Sequence, residues 1–219
     1  MIAENLARIK NTIPKNVCLV AVSKTKPISE LLIAYNVGQR HFGENKVQEL
    51  CEKQVIMPKD ICWHLIGHLQ TNKVKYIAPF VHLIHSVDSL KLLLEINKQA
   101  QKNNRIISIL LQFHIAQEET KFGLDRDEAM VILYSEEYKK CKNIKIIGIM
   151  GMASFVEEVD QIRTEFKSLK AHFDFLKQNY FKSENYFSEI SMGMSGDFQI
   201  AIEEGSTLVR VGSSIFGGR

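Results

Sequence analysis

The stretch Val17 to Tyr35, VCLVAVSKTKPISELLIAY, joins two different hydrophobic periods within nineteen residues and sets the reading of the whole chain. Val17–Val22 is a short apolar, β-branched run of strand length. From Ile28 onward, Ile28, Leu31, Leu32 and Tyr35 repeat at the i, i+3, i+4, i+7 spacing of one helix face, with Pro27 where a first-turn proline is tolerated. Working outward, the same strand-then-helix unit recurs. Predicted strands cover Val17–Val22, Arg40–Gly43, Ile61–Leu65, His82–His85, Ile106–Phe113, Ile144–Met150, Tyr186–Ile190 and Leu208–Val211. Leu90, Leu93, Leu94, Asn97 and Ala100 mark one intervening helix, opened by Asp88 or Ser86. A longer helix is predicted over Val159–Lys177, with Val159, Ile162, Phe166, Leu169, Phe173 and Leu176 stepping by three and four. That stripe suits a coiled-coil seam or the inner face of a helix on a sheet, and the second is the commoner use.

Strict β–α alternation implies right-handed crossovers and a parallel sheet. Eight repeats favour closure into a (β/α)8 TIM-type barrel over an open doubly wound sheet, and no GxGxxG follows the first strand to support the open form. The chain ends soon after the eighth strand, so a helix at the N-terminus (Ile2, Leu6, Ile9) is expected to cover the place of an eighth outer helix. The α/β fold class is therefore one barrel domain over residues 1–219.

Composition narrows the function classes. The 219 residues are 45% hydrophobic with a formal net charge of +3, and basic and acidic residues are interleaved. That pattern speaks against a nucleic-acid stripe or a polybasic membrane patch, so neither partner is expected. The opening MIAENLARIK has no continuous apolar core of a secretory leader, and no apolar run is long enough to span a bilayer. Four cysteines (Cys18, Cys51, Cys62, Cys141) without a CxxC pair read as reduced thiols in a cytoplasmic protein.

In such barrels the active site lies at the C-terminal ends of the strands. The first strand runs directly into Lys24, whose stem would lie among apolar neighbours. Partial desolvation favours a neutral amine able to form an imine with an aldehyde. Lys26, beside a proline at a helix start, is the more exposed and weaker candidate, and a solvated loop lysine is the ordinary alternative for Lys24 itself. After the seventh strand comes Ser191-Met192-Gly193-Met194-Ser195-Gly196-Asp197, and after the eighth Arg210-Val211-Gly212-Ser213-Ser214. Loops at these two positions commonly bind phosphate, with glycines allowing close backbone approach, hydroxyls donating and a helix N-terminus presenting N–H groups. Ser195 or Asp197 could equally serve as a helix cap. Arg210 interrupts an apolar strand, and alternation points it inward with Gly212. It must there meet either Glu203 or Glu204 or an acceptor on a bound cofactor. A lysine, a phosphate cradle and an arginine suit pyridoxal phosphate, and they also suit a Schiff-base aldolase acting on sugar phosphates.

The segments Leu19–Pro27 (LVAVSKTKP), Phe42–Leu50 (FGENKVQEL), Trp63–Asn72 (WHLIGHLQTN), Glu119–Leu124 (ETKFGL), Ser191–Ser195 (SMGMS) and Gly205–Gly217 (GSTLVRVGSSIFG) span almost the whole chain in order. In them the sequence resembles the pyridoxal phosphate homeostasis proteins, single-domain relatives of the alanine racemase N-terminal barrel. The resemblance implies that Lys24 carries pyridoxal 5′-phosphate as a Schiff base. Ser191, Gly212 and Ser213 match the family's phosphate-binding positions, and Ser195 and Gly193 belong to the same set. Arg210 matches the arginine facing the pyridine nitrogen, and Asn45 falls near the ring oxygen. One departure is visible: after Met152-Ala153-Ser154-Phe155 the next helix follows quickly where many relatives have a longer loop, which implies a more open mouth on that side.

The resemblance further implies a carrier or regulator in vitamin B6 and amino-acid homeostasis, with apo-enzymes as acceptors of the cofactor. An arginine at the pyridine nitrogen makes the ring a poorer electron sink. Two-base racemases of this fold draw a tyrosine from a second domain and a partner subunit. This sequence has no residues for that domain, so a monomer with little or no catalysis is expected. The enzyme alternative, a slow amino-acid racemase or lyase, requires a second acid or base, for which His41, His64 and His68 are available. A partner-binding module would rest on the 159–177 helix alone. His64 and His68 resemble an i, i+4 metal pair, but the intervening glycine breaks the helix such a pair needs and no metal is expected there. His82 and His85 should face opposite ways across their strand. Lys121, in ETKFGL, reads as a loop residue outside the site.

Overall fold

A computed structural model describes residues 1–116 and 123–218. Residues 119–122 of the ETKFGL segment, Lys121 among them, lie outside the described residues. In chain order the elements are α1 (Ile2–Thr12), β1 (Cys18–Val22), α2 (Ile28–Asn36), β2 (His41–Glu44), α3 (Val47–Ile56), β3 (Cys62–Leu65), a 3-10 turn (Thr71–Lys73), α4 (Val74–Ile77), β4 (Leu83–Val87), α5 (Leu90–Lys102), β5 (Ile107–Gln112), α6 (Arg126–Tyr134), α7 (Glu136–Lys139), β6 (Ile144–Met150), α8 (Val159–Asn179), β7 (Glu189–Ser191), α9 (Phe198–Glu203), β8 (Leu208–Val211) and α10 (Ser213–Phe216). The eight strands pair in parallel with their sequence neighbours, and β8 pairs with β1 to close the barrel. The eight-stranded α/β barrel expected from the alternation is the observed fold.

Most of the core is the annulus between the strands' outward residues and the helices, from Leu31 and Phe42 round to Phe166 and Val211. The α8 stripe belongs to it: Ile162, Phe166, Leu169 and Leu176 are buried against the barrel, so the stripe is an inner face and not a seam. Leu6 and Ile9 of α1 are buried, and Asn5 Nδ2 donates to the Ile215 carbonyl at 3.1 Å, which ties α1 to the single-turn α10. The N-terminal helix thus occupies the gap beside the last strand.

Local differences from the sequence reading have local causes. The helix after β4 is capped by Ser89, whose Oγ accepts the Leu92 N–H at 3.3 Å, not by Asp88 or Ser86. Strand β7 is only three residues long. Tyr186 and Phe187 read as strand because they are apolar and β-prone, but Phe187 stacks between Phe173 and Phe181, at ring separations of 4.9 and 4.1 Å. It is used to anchor α8 before the chain enters the sheet.

Candidate functional site

Strand alternation sends a second set of residues into the barrel interior, and this set is unusually polar. Its apolar part is small: Val20, Leu83, Leu110, Met150 and Leu208. Arg210 is the register partner of Val20 and therefore shares its inward side. His64 pairs with Leu83, and Gly43 with His64, so these too face inward. His64, His85, Gln112, Ser191 and Arg210 are all buried.

At the C-terminal ends of the strands the interior opens into a cavity of ≈ 780 Å³. Lys24, Asn45, Ser195, Arg210, Gly212 and Ser213 all line it. Its apolar walls include Val22, Ile66, Met152 and Val156. Lys24 follows β1 on a segment fixed from below. The buried Ser23 donates its N–H to the Gly43 carbonyl at 3.0 Å and its hydroxyl to Glu44 Oε1 at 2.5 Å. Lys53, reaching up from α3, donates to the Ser23 carbonyl, Glu44 Oε1 and Glu49 Oε1, each at 2.7 Å. Burial pushes the Glu44 carboxyl up from its ordinary value, against the opposing pull of Lys53 and Ser23. Thr25 then takes φ +65°, a left-handed conformation costly for a β-branched residue, and its N–H donates to Glu49 Oε1 at 2.6 Å. Lys26 is committed elsewhere: its Nζ donates to the Phe216 and Gly218 carbonyls at 3.2 and 2.9 Å.

Beside Lys24, on the β8 side of the barrel, the turns after β7 and β8 are joined by the Gly212 N–H, which donates to Ser195 Oγ at 3.1 Å. A Cβ at Gly212 would lie 3.0 Å from the Val22 carbonyl, so only glycine lets this turn sit against β1 without a shift. Asp197 Oδ1 accepts the Met194 N–H and closes the first turn, and burial raises its carboxyl. The residue at the N-cap of α9 is Asp197, leaving Ser195 to the turn junction. The helices that follow are six and four residues long. The anion-binding capacity of this wall therefore rests on hydroxyls and turn N–H groups, and little on a helix dipole.

Arg210 is 4% exposed and donates to Ser191 Oγ at 2.6 Å and to the Gly151 carbonyl at 3.1 Å. Full burial lowers its pKa to about 10, with the charge of Asp197 acting in the opposite sense. Glu203 and Glu204 are both held by Arg163, so neither accounts for Arg210. Among the described residues Arg210 has no carboxylate within ion-pair distance, and it reaches the cavity wall.

Ser191 and Gly193 stand beneath the cavity and not on its wall. Ser191 is fully buried, its hydroxyl shared by Arg210 and by His85 Nδ1 at 2.9 Å. Gly193, at φ +95°, packs on α9, where a Cβ would lie 2.6 Å from the Ala201 Cβ, and its carbonyl accepts the Arg210 N–H at 2.9 Å. Both hold Arg210. Below them runs a chain that the sequence reading did not find: His85 Nε2 is 2.8 Å from His64 Nδ1, and His64 Nε2 is 2.9 Å from His41 Nδ1. Burial holds His64 and His85 well below the ordinary histidine pKa. The rings of both His82 and His85 meet His64, at 5.4 and 5.1 Å, in place of the opposed orientation expected. His82 precedes β4 and is not bound by its alternation. The available signal was the one that singled out Arg210, a polar residue between apolar strand neighbours, as in Trp63-His64-Leu65. His68 lies on the cavity wall, 3.8 Å from Asp88, separated from the buried His64.

The model of the alanine racemase N-terminal domain family matches residues 1–219. The pyridoxal phosphate homeostasis protein of Aquifex aeolicus is 39% identical over 92% of this chain and 86% of its own length. The human protein of that name is 39% identical over 92% of this chain and 76% of its own. The structure of PipY from Synechococcus elongatus superposes with a TM-score of 0.91 without pyridoxal phosphate and 0.89 with it bound, at 34% identity over 99% of this chain and all of that one. An alanine racemase from Clostridium difficile, at 15% identity, shares the fold with a TM-score of 0.76 over 56% of its length. Matched from end to end in both sequence and structure, the chain belongs to the pyridoxal phosphate homeostasis proteins within the alanine racemase N-terminal domain family.

Proposed function

We propose that this protein binds pyridoxal 5′-phosphate at the C-terminal mouth of the barrel, as a Schiff base on Lys24, and serves as a carrier or regulator in vitamin B6 and amino-acid homeostasis with little or no turnover. The observation that carries the reading is the meeting of Lys24, the Ser195–Gly212–Ser213 turns and the buried Arg210 around one cavity. The residues fit the group. Lys24 supplies the amine, the two turns offer hydroxyl and N–H donors to a phosphate, and Arg210 presents a fixed cation to the ring. Asn45 lines the same cavity. Pyridoxal phosphate supplies an electron-withdrawing ring that stabilises charge on an attached amino group's carbon. Arg210 works against that use. Its guanidinium is held by Ser191 and Gly151 and carries no carboxylate partner among the described residues, so it opposes a proton on a nitrogen placed before it.

Apo-enzymes that need the cofactor are the acceptors on this reading. Absorbance of the purified protein before and after borohydride, followed by peptide mapping, tests it. An imine band that collapses on reduction, with the adduct on Lys24, supports the assignment. A protein that cannot be loaded, or an adduct confined to Lys26, refutes it. The slow racemase or lyase reading keeps one candidate acid or base, since His64 is buried below Arg210 and His41 lies at the far mouth, while His68 shares the cavity with Lys24. Turnover of an amino acid abolished by both Lys24→Ala and His68→Ala would establish that reading in place of the carrier.

A further inference from the structure

The rim of the barrel opposite Lys24 carries a group of donors that cofactor binding does not use. His41 opens β2, Cys62 opens β3, and His82 immediately precedes β4. His41 and Cys62 are register partners and so share a side of the sheet. The His82 N–H donates to the Trp63 carbonyl at 2.9 Å, which sets it beside the other two. One donor atom from each lies within 4.8 Å of the other two. A tetrahedral ion about 2.0–2.3 Å from each donor needs them roughly 3.5 Å apart. Side-chain rotation of about an ångström closes that gap, and His82 is exposed and able to make it.

We propose that His41, Cys62 and His82 form a site for a borderline-soft divalent transition-metal ion of the zinc type, with its fourth position open to solvent. Two imidazoles and one thiolate match that class, whereas magnesium and calcium want oxygen. A second observation is independent of the cluster. A ligating histidine is held through its other ring nitrogen, which fixes the ring for the ion. His41 is held in that way: its Nδ1 is 2.9 Å from Nε2 of the buried His64, which His85 fixes in turn at 2.8 Å. His41 Nε2 is then the nitrogen left to face the rim. On binding, the two imidazoles and the Cys62 sulfur each give a lone pair to the ion. The Cys62 S–H bond breaks, its proton passes to solvent, and no group changes oxidation state.

Cobalt(II), as a spectroscopic stand-in for zinc, tests the site on the intact chain. The expected result is one equivalent of cobalt giving the intense visible bands of a four-coordinate ion, displaced by zinc. Zinc should also protect Cys62, but not Cys141, from alkylation as read by peptide mapping. Cys62→Ser and His82→Asn should each weaken binding by more than about 100-fold, as expected for the loss of a ligand rather than of its support, and Cys141→Ser should leave it unchanged. His82 is exposed, so His82→Asn removes a ligand from outside the set of buried residues. Weak six-coordinate bands, binding that survives Cys62→Ser as chelation at the cofactor would, or equal alkylation of Cys62 with and without zinc would each overturn the proposal.

Discussion

At the scale of single residues, the site depends on side chains that do not line the cavity. Ser191 is the clearest. Its hydroxyl joins the Arg210 guanidinium to His85, and all three residues are buried. Ser191→Ala leaves a buried guanidinium donor and a ring nitrogen unpaired, and is expected to cost about 1–3 kcal/mol in urea unfolding. The same variant should retain the borohydride-trapped adduct on Lys24, since Ser191 is not on the cavity wall; loss of the adduct with stability intact would instead make it a direct ligand. Gly193 makes a parallel case. Gly193→Ala combines a positive φ with a Cβ 2.6 Å from the Ala201 Cβ and should lower stability by about 1–3 kcal/mol in the same assay. Lys24→Ala, by contrast, removes the amine without touching the Ser23–Glu44–Lys53 support, so the melting transition should stay and the adduct vanish.

Elements matter here through their junctions. The β1 end, the β2 end and α3 are joined by the Lys53–Glu44 pair, whose side chains are 7% and 0% exposed. Breaking a buried pair from one side strands a charge, so Lys53→Met should destabilise by about 3–5 kcal/mol in chemical denaturation. Adding Glu44→Leu to it should recover part of that loss, because a dry apolar pair replaces a stranded carboxylate. A single variant as costly as the double would mean that Lys53 acts through Glu49 alone. The short β7 carries a similar lesson. The Phe173–Phe187–Phe181 stack takes over residues that look like strand, and the barrel closes there with three residues because β6 and β8 hold both flanks.

For the molecule as a whole, the polar interior is a stability liability with a defined pH dependence. His85 is fully buried and held neutral, its folded pKa well below the ordinary value. A depressed pKa leaves stability at its full value above the unfolded pKa of about 6.5 and removes it as pH falls below that point, because the unfolded chain takes up the proton first. Unfolding free energy should therefore decline as pH is lowered from 7 toward 5, and His85→Gln should flatten that decline. An unchanged slope in the variant would assign the loss to other groups. Among the described residues no helix is long and apolar enough to cross a membrane.

The linear order of residues was enough to determine the barrel, because a strand period of two and a helix period near 3.6 are local properties, and eight alternating copies leave few ways to close a sheet. It was enough, too, to mark Lys24, Gly212, Ser213 and Arg210, since strand ends and Gly/Ser turns are written contiguously. Only the tertiary structure decided that Ser191 and Gly193 lie under Arg210, that Glu203 and Glu204 belong to Arg163, and that His41, His64 and His85 form one hydrogen-bonded line. Those contacts join segments far apart in the chain, separate strands inside the barrel and α8 to the end of α9 outside it. Their geometry is set by the stagger with which eight strands close, and that stagger is encoded by no single segment.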